Sequence, residues 1–380
     1  MSVCALIVAG GNGQRFGGGV PKQYREIGGK PIIRWAVESL IGHPAVQGVQ
    51  IVIGEGQQQL AAQALAGLAL AEPIIGGAER ADSVRAGLAA IESSAVLVHD
   101  AARPFCPPDV IDRLVAILEH FDGAAPVLAV SDTLAWLGHD LGDTVDRTGL
   151  VRVQTPQIFR TEALRAAFGA WSGPSPTDEA MVVRAAGMRV AAVAGDPALD
   201  KLTTPADFDR ASAWLAGRMR PRTGTGFDVH AFAGEGPIML GGIAVPHSRG
   251  LAGHSDADVA LHAITDALLG AGSLGDIGEH FPPGEPIWKG VSSDRFLAHA
   301  AELLRREGAI IDAIDCTIIA EAPRVGPHRL AMRQRIAEIC GLSVDQISIK
   351  ATTTEGLGFT GRGEGIAAQA VANVRMGIAW

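Results

Sequence analysis

The feature that most constrains this chain is an alternation of two textures. Over roughly the first 215 residues, short apolar runs fall at Val3–Ala9, Val49–Ile53, Ala95–His99, Ala124–Val130 and Val190–Val193. Segments with helical periodicity lie between them, at Pro31–Ile41, Gln57–Leu70, Ala81–Ile91, Asp109–His120 and Glu162–Phe168. A strand covered on both faces has no polar side to show, so unbroken apolar runs predict interior parallel strands joined by crossover helices. The expected fold here is α/β: a doubly wound, mostly parallel, Rossmann-like sheet with helices on both faces. Ligands in such sheets bind at loops beyond the carboxyl ends of the strands.

The texture changes near Arg218–Arg222, where a basic stretch carrying Pro221 follows a helix-like run ending at Trp214–Leu215. This predicts a first domain over 1–217, a linker over 218–222 and a second domain over 223–380. A chain of 380 residues is long enough for two cores. In the second part strands are expected at Gly224–Val229, Ile310–Ala320, Gln346–Ala351 and Gly365–Val374, and helices at Asp256–Leu269, Ser293–Glu307 and Pro327–Cys340. The last strand alternates Ile366, Ala368, Ala370, Ala372 and Val374, the period of a strand covered on one face only. Strands and helices in this less regular order predict a compact α+β domain.

Composition narrows the partners. The formal net charge is −9, which argues against a nucleic-acid wrapper and for a small-molecule partner. Four cysteines, Cys4, Cys106, Cys316 and Cys340, form no C-x-x-C pair and are read as free thiols in a reducing cytosol. No run of 18 apolar residues is present, and Met1–Gly10 reads as a buried strand rather than a signal peptide, so a cytoplasmic location is expected.

After the first strand comes Gly10-Gly11-Asn12-Gly13-Gln14-Arg15, continuing to Pro21-Lys22-Gln23-Tyr24. Glycines at such a turn offer backbone N–H groups to phosphates, and Arg15 and Lys22 add fixed cations. Neither a Walker loop nor a full G-x-G-x-x-G is present, and a glycine loop alone could equally be a flexible turn. Further polar clusters end other strands: Gly76–Val84 with Ser83, His99-Asp100-Ala101-Ala102-Arg103, Ser131-Asp132-Thr133, Thr155-Pro156-Gln157, Thr177-Asp178-Glu179 and Asp200-Lys201. An Asp at the position of Asp100 can hold a metal, hold a ribose or cap a turn. Together the clusters favour a phosphate and sugar site.

This set, in order and spacing, resembles the 2-C-methyl-D-erythritol 4-phosphate cytidylyltransferases over the first 215 or so residues. The resemblance implies attack of the 4-phosphate of methylerythritol phosphate on the α-phosphorus of CTP, with Mg2+ present and pyrophosphate leaving. It assigns Arg15, Lys22 and Lys201 to the attacked phosphate. Ser83 and the Gly10, Gly11 and Gly13 turn fall to the cytosine, and Asp100 to the ribose and magnesium-bound triphosphate. Arg103, Thr133, Arg147 and Lys201 fall to the sugar phosphate, and Thr155 to the substrate-binding set. Some of these come from a dimer partner in the family. Gly10 departs from the alanine the family more often carries.

In the second half, Asp228-Val229-His230 sits on a strand, where residues two apart share a face. Downstream, His254-Ser255-Asp256-Ala257-Asp258 leads into a helical run in which Asp258, His262 and Asp266 are spaced to share a face. Asp228, His230 and His262 suit a catalytic metal with three protein ligands, and the spacing equally allows a capping or core histidine. Gly275-Asp276-Ile277-Gly278 is a turn suited to ribose hydroxyls. Lys350–Gly365 places Thr352, Thr353, Glu355, Phe359 and Arg362 in one hydroxyl- and glycine-rich loop.

These motifs resemble the 2-C-methyl-D-erythritol 2,4-cyclodiphosphate synthases over about residues 222–378. The resemblance implies a ferredoxin-like mixed sheet with helices on one face, in a trimer with sites between subunits. The 2-phosphate of the CDP-linked substrate attacks the β-phosphorus and CMP leaves. Zn2+ or another divalent ion falls to Asp228, His230 and His262, and Mg2+ to Glu355. Asp276 and Gly278 fall to the ribose, His254 and Ser255 to the phosphate end, and Thr352 and Thr353 to the diphosphate. Phe227, Phe359 and Arg362 face the central cavity. Arg324 stands where the family often has lysine.

Both halves therefore read as enzymes of the non-mevalonate isoprenoid route, a nucleotidyltransferase joined to a phosphorus–oxygen lyase. The expected assembly is a homo-oligomer with dimeric N-terminal and trimeric C-terminal contacts, without nucleic acid or membrane. The two reactions are not consecutive, because a kinase must act between them, and weak docking of that kinase is compatible with this reading. Two other readings stand beside this one. A general sugar nucleotidyltransferase joined to an unrelated metal hydrolase is opposed by the joint spacing of the motifs. An inactive assembly scaffold in one half is opposed by the presence of every ligand position.

Overall fold

The computed structural model describes residues 1–11, 19–253, 255–282, 287 and 290–378. It divides into two compact units, one through Ala213 and one from Trp214 onward.

The first unit is built on an eight-stranded sheet. Its strands are β1 (Val3–Ala9), β2 (Gly48–Ile53), β3 (Ile74–Ile75), β4 (Ala95–Asp100) and β5 (Gly123–Ala129). A separate hairpin follows, β6 (Leu134–Leu137) and β7 (Leu141–Val145), and then β8 (Val151–Val153), β9 (Gln157–Arg160) and β10 (Val190–Ala194) complete the sheet. The order is β8-β5-β9-β4-β1-β2-β3, with β10 beside β5. β1 runs parallel to both neighbours, and β8 and β9 are the antiparallel members. The alternation of side chains along β1 explains its fully apolar sequence. Ala5 and Ile7 enter one core with helices α1 (Ile32–Ile41) and α4 (Pro108–Ile117), and α2 (Gln58–Ala64) adds Ala61 to it. Leu6 enters a second core with α3 (Arg80–Ala89) and α5 (Thr161–Ala170). The sheet is thus covered on both faces.

Register positions the site. Val8 pairs with Val52 on one side and Asp100 on the other, so the loops after Ala9, Ile53 and Asp100 leave the same edge of the sheet. α2 ends at Ala64 rather than Leu70, because the chain turns at Gly67 with φ 83°.

The second unit carries a five-stranded mixed sheet. Its strands are β11 (Met219–Ala233), β12 (Gly250–Leu251), β13 (Ile310–Ile319), β14 (Ile347–Thr352) and β15 (Gly365–Ile378), in the order β12-β11-β15-β13-β14. Helices α7 (Val259–Gly272), α8 (Asp294–Arg306) and α9 (Arg329–Cys340) share one core with Ile366, Ala368, Ala370, Ala372 and Val374 of β15. On the opposite face Gln369, Asn373, Phe227 and Val229 are exposed, so within this unit the helices lie to one side.

Residues 219–222, expected as linker, are the first part of β11 and pair with the far end of β15 from Met219↔Ile378 to Arg222↔Val374. Proline and exposed arginines suggest a loop in sequence, yet both suit a sheet end. β12 pairs with β11 only at Phe232 and Ala233, so the position of Pro221 has no second neighbour needing an N–H.

Candidate active centres

In the first unit a pocket opens at the carboxyl edge of β1 and β4, lined among others by Gly10, Gly11, Lys22, Arg80, Ser83, Asp100 and Lys201. Its entry turn is strapped by Gln23, whose Nε2 donates to the carbonyls of Ala9 (2.6 Å) and Gly11 (2.9 Å) and to Gln57 Oε1 (3.2 Å). Gln57 Oε1 also accepts from Tyr24 (3.1 Å) and from the Gly54 N–H (3.3 Å). These bonds commit the turn's carbonyls to the protein side. At Gly10 a methyl group would stand 3.4 Å from Ser83 Oγ, ordinary contact, so an alanine would fit there.

Asp100 is the hub. Its Oδ1 accepts from Arg80 Nε at 3.0 Å and its Oδ2 from Lys201 Nζ at 2.7 Å, with Arg103 Nε 3.8 Å from Oδ2. Burial alone would raise this carboxyl, but Arg80, Lys201 and Arg103 outweigh it and hold the group far below the usual carboxylate range. The Asp100 N–H donates to Thr155 Oγ1 at 3.0 Å, and Thr155 in turn meets buried His99 at 3.1 Å. Burial lowers the His99 pKa to about 4, so this imidazole is a neutral spacer. Arg103 donates to the Leu199 carbonyl, and Lys22 Nζ donates to Leu202 O at 2.8 Å, so the loop carrying Lys201 is held from two sides. Lys22, Arg80, Arg103 and Lys201 gather at this edge around Asp100, with Glu179 pairing Arg80, and such a concentration of cations suits an anion.

Gly10, Gly11, Lys22, Ser83, Asp100, Arg103, Thr155 and Lys201 are thus brought to one edge. Thr133 and Arg147 are not: both are exposed near the β6–β7 hairpin, where Arg147 donates to the Ser131 carbonyl. Gly13 and Arg15 lie outside the described residues. Sequence reasoning missed Arg80 and Glu179. Both stood inside quoted motifs, but their pairing spans about 100 residues and has no local signal.

In the second unit three ligand atoms meet. Asp228 Oδ2 lies 3.1 Å from His230 Nε2 and 3.0 Å from His262 Nδ1, and the two nitrogens are 3.1 Å apart. The other ring nitrogens have partners of their own. His230 Nδ1 donates to the Ala252 carbonyl at 2.7 Å. The Ser293 hydroxyl donates to Asp256, so Ser293 Oγ is free to accept from His262 Nε2 at 2.9 Å. Both imidazoles therefore turn a lone pair toward the Asp228 carboxylate, and three acceptors facing one point is the arrangement of a cation site. Two nitrogens and one oxygen are a donor set that fits a divalent ion such as zinc. Here the structure brings together the three residues whose spacing left a capping role open.

Close packing creates this convergence. A Cβ on Gly226 would stand 2.0 Å from the Ala263 carbonyl, and one on Gly224 2.1 Å from the Ala267 carbonyl. Only glycine lets α7 lie against β11 near enough for His262 to meet Asp228. Gly226→Ala is expected to cost roughly 3 kcal/mol of stability and to lower bound metal below one per chain. Thermal unfolding and metal content of the purified variant check both.

Of the three residues spaced to share one helix face, Asp258 precedes the helix proper. Asp258 is the N-cap of α7, fully buried, accepting from the Ala260, Leu261, Gly241 and Gly242 N–H groups. Its role is to fasten the helix start. Asp266 accepts from the Ile277 N–H at 2.8 Å.

Of the remaining positions, Ser255 Oγ lies 3.1 Å from His262 Nε2, and His254 lies outside the described residues. Asp276 caps the short turn Ile277–His280 containing Gly278, accepting from the Glu279 N–H at 2.9 Å. Glu355 stands apart from the three-ligand cluster, in a left-handed conformation at φ 53°, accepting from Thr353 Oγ1 at 2.8 Å. Thr352 is exposed and donates to the Thr353 carbonyl. Phe359 is in the short helix Gly358–Gly361, and Arg362 pairs with Glu364 at 2.8 Å. Exposed Glu321 went unnoticed in sequence; its carboxylate accepts from the Thr354 and Gly356 N–H groups on either side of Glu355.

Comparison with known proteins agrees with this division. The family model described as 2-C-methyl-D-erythritol 4-phosphate cytidylyltransferase matches residues 3–217, and the YgbB family model matches residues 221–375. A protein of Rhizorhabdus wittichii named bifunctional enzyme IspD/IspF is 58% identical over 376 residues, 99% of this chain and 98% of its own length. A protein of the same name from Novosphingobium aromaticivorans is 50% identical over 381 residues, 99% of this chain and 97% of its own. The solved structure of the bifunctional IspDF from Campylobacter jejuni is 32% identical, covers 100% of this chain and 99% of its own, and superposes with a TM-score of 0.50.

Proposed function

Because the chain belongs to the family of bifunctional IspD/IspF enzymes, we propose that its two clusters are the two active centres of that family. The chain is a two-activity enzyme of the non-mevalonate isoprenoid route. Its N-terminal half transfers CMP from CTP to 2-C-methyl-D-erythritol 4-phosphate, and its C-terminal half forms 2-C-methyl-D-erythritol 2,4-cyclodiphosphate with release of CMP.

In the N-terminal centre the 4-phosphate oxygen forms the new bond to the α-phosphorus, and the bond to the pyrophosphate oxygen breaks. Negative charge on the non-bridging oxygens rises on the way, and Lys22 and Lys201, with Arg15, stabilise it there. Gly10, Gly11, Gly13 and Ser83 recognise the base, Thr155 holds Asp100 toward the nucleotide, and Arg103 meets the sugar phosphate. Asp100 lies near the ribose and the triphosphate, whose charge a bound Mg2+ would screen. Thr133 and Arg147 serve the pocket of a second copy. The exposed Trp136, Leu137 and Leu141 of their hairpin support a dimeric contact there.

In the C-terminal centre the 2-phosphate oxygen attacks the β-phosphorus and the phosphoanhydride bond to CMP breaks. Asp228, His230 and His262 would hold Zn2+ or another divalent ion, and Glu355 would hold Mg2+, both supplying charge neutralisation for the diphosphate. Ser255 and His254 orient the phosphate end, Thr352 and Thr353 line the diphosphate, and Asp276 with Gly278 receives the ribose. The domain is of ferredoxin-like type. Its uncovered sheet face, with Phe227 exposed, supports trimeric packing that places Phe227, Phe359 and Arg362 around a shared cavity. Among the described residues no helix is long and apolar enough to cross a membrane, and four free cysteines support a reducing, cytosolic setting.

The observation that carries the C-terminal reading is the convergence of three lone-pair donors on one point. The test supplies CTP, magnesium and methylerythritol phosphate while following pyrophosphate, and then the phosphorylated CDP intermediate while following CMP. A zinc-selective chelator is expected to stop the second release and spare the first. CMP release that persists after complete metal removal would sink the assignment of the triad.

A further inference from the structure

We propose that Arg80, locked by Glu179, is a positioning residue for cytidylyl transfer that acts through Asp100. This rests on the assignment of Asp100 to the nucleotide.

Glu179 is 1% exposed and is the first residue of α6 (Glu179–Ala185). Its carboxylate is not needed to cap that helix, because Asp178 does so through the Met181 N–H. Instead Glu179 grips Arg80 with both oxygens, Nη1 to Oε1 at 2.5 Å and Nη2 to Oε2 at 3.0 Å. The remaining edge of the same guanidinium gives Nε to Asp100 Oδ1 at 3.0 Å. A buried ion pair is a poor source of stability, since desolvation offsets much of the attraction. It is a good source of orientation: the guanidinium is planar, so fixing its Nη edge fixes the direction of Nε. Asp100 Oδ1 is therefore committed to Arg80, and Oδ2 accepts from Lys201 at 2.7 Å, so the carboxylate plane is fixed from both sides. Lysine at position 80 could reach one carboxylate but not bridge two in a plane.

The test is a double-mutant cycle in the full-length enzyme, read by pyrophosphate release. CMP release from the other half and thermal unfolding serve as fold controls. Arg80→Lys is expected to lower kcat roughly 10- to 100-fold, the range of outer-shell partners, with KM for CTP changed less than about threefold. Asp100→Asn is expected to be slower still. The combined variant is expected to be no slower than Asp100→Asn alone, within about twofold, because the Arg80 effect passes through the group already removed. Glu179→Gln repeats the cycle if Arg80→Lys does not fold. Losses that multiply in the double variant overturn the proposal and place Arg80 on the nucleotide itself. An Asp100→Asn enzyme with normal release removes the assignment on which the proposal rests.

Discussion

His262→Ala is expected to lower CMP release roughly 10³-fold or more, while pyrophosphate release from CTP is expected to stay within about a factor of two of the parent. His262 supplies one of three ligand atoms and sits between Asp228 and the Ser255 and Ser293 hydroxyls. Alanine leaves two ligands, too few for a catalytic zinc with one open position. The helix itself should survive, since alanine is the best helix former and the α7 start is fastened by Asp258 four residues earlier. Metal content should fall in parallel with activity. Asp228→Asn should do the same for a different reason, because a neutral amide no longer balances the cation's charge. A His262→Ala enzyme that keeps both its metal and its CMP release would show that the convergence is structural only.

The second large effect lies in the other half. Lys22→Met is expected to lower pyrophosphate release roughly 10²- to 10³-fold, with CMP release unchanged. Methionine keeps most of the length of the side chain but removes a positive charge at the pocket wall, along with bonds such as that to the Leu202 carbonyl. Ground-state CTP binding should weaken less than kcat, because the charge matters most where the attacked phosphate gathers negative charge. Steady-state kinetics with CTP varied would separate the two. A rise in KM alone, with kcat intact, would reduce Lys22 to a binding residue.

Much of this fold is legible in the sequence. Period-2 and unbroken apolar runs located β1, β2, β4, β5 and β10 to within a residue or two, because burial on both faces dictates composition directly. Asp228 and His230 could be paired from strand geometry alone. Their partner His262 was only a candidate, because helical spacing does not say which strand a helix will cover. Nor does that spacing reveal the partners of Asp258, which are the Gly241 and Gly242 amides as well as its own helix start. The basic stretch at 219–222 looked like a linker, since composition registers exposure but not hydrogen bonding across to β15.

Local sequence dictates the elements and the kinds of chemistry available: glycine turns and cations for phosphate, and two histidines with an aspartate for a metal. Which of those groups act together depends on how the elements pack. Arg80, Asp100, Glu179 and Lys201 come from four separate segments, and their charges interact only because strand register brings the loop ends to one edge. Likewise Asp228 and His262 meet because Gly224 and Gly226 admit a helix where any Cβ would hold it off. Local sequence sets dihedral preference and burial, which act over a few residues. Coulomb attraction and close packing act over ångströms in space, whatever the distance along the chain.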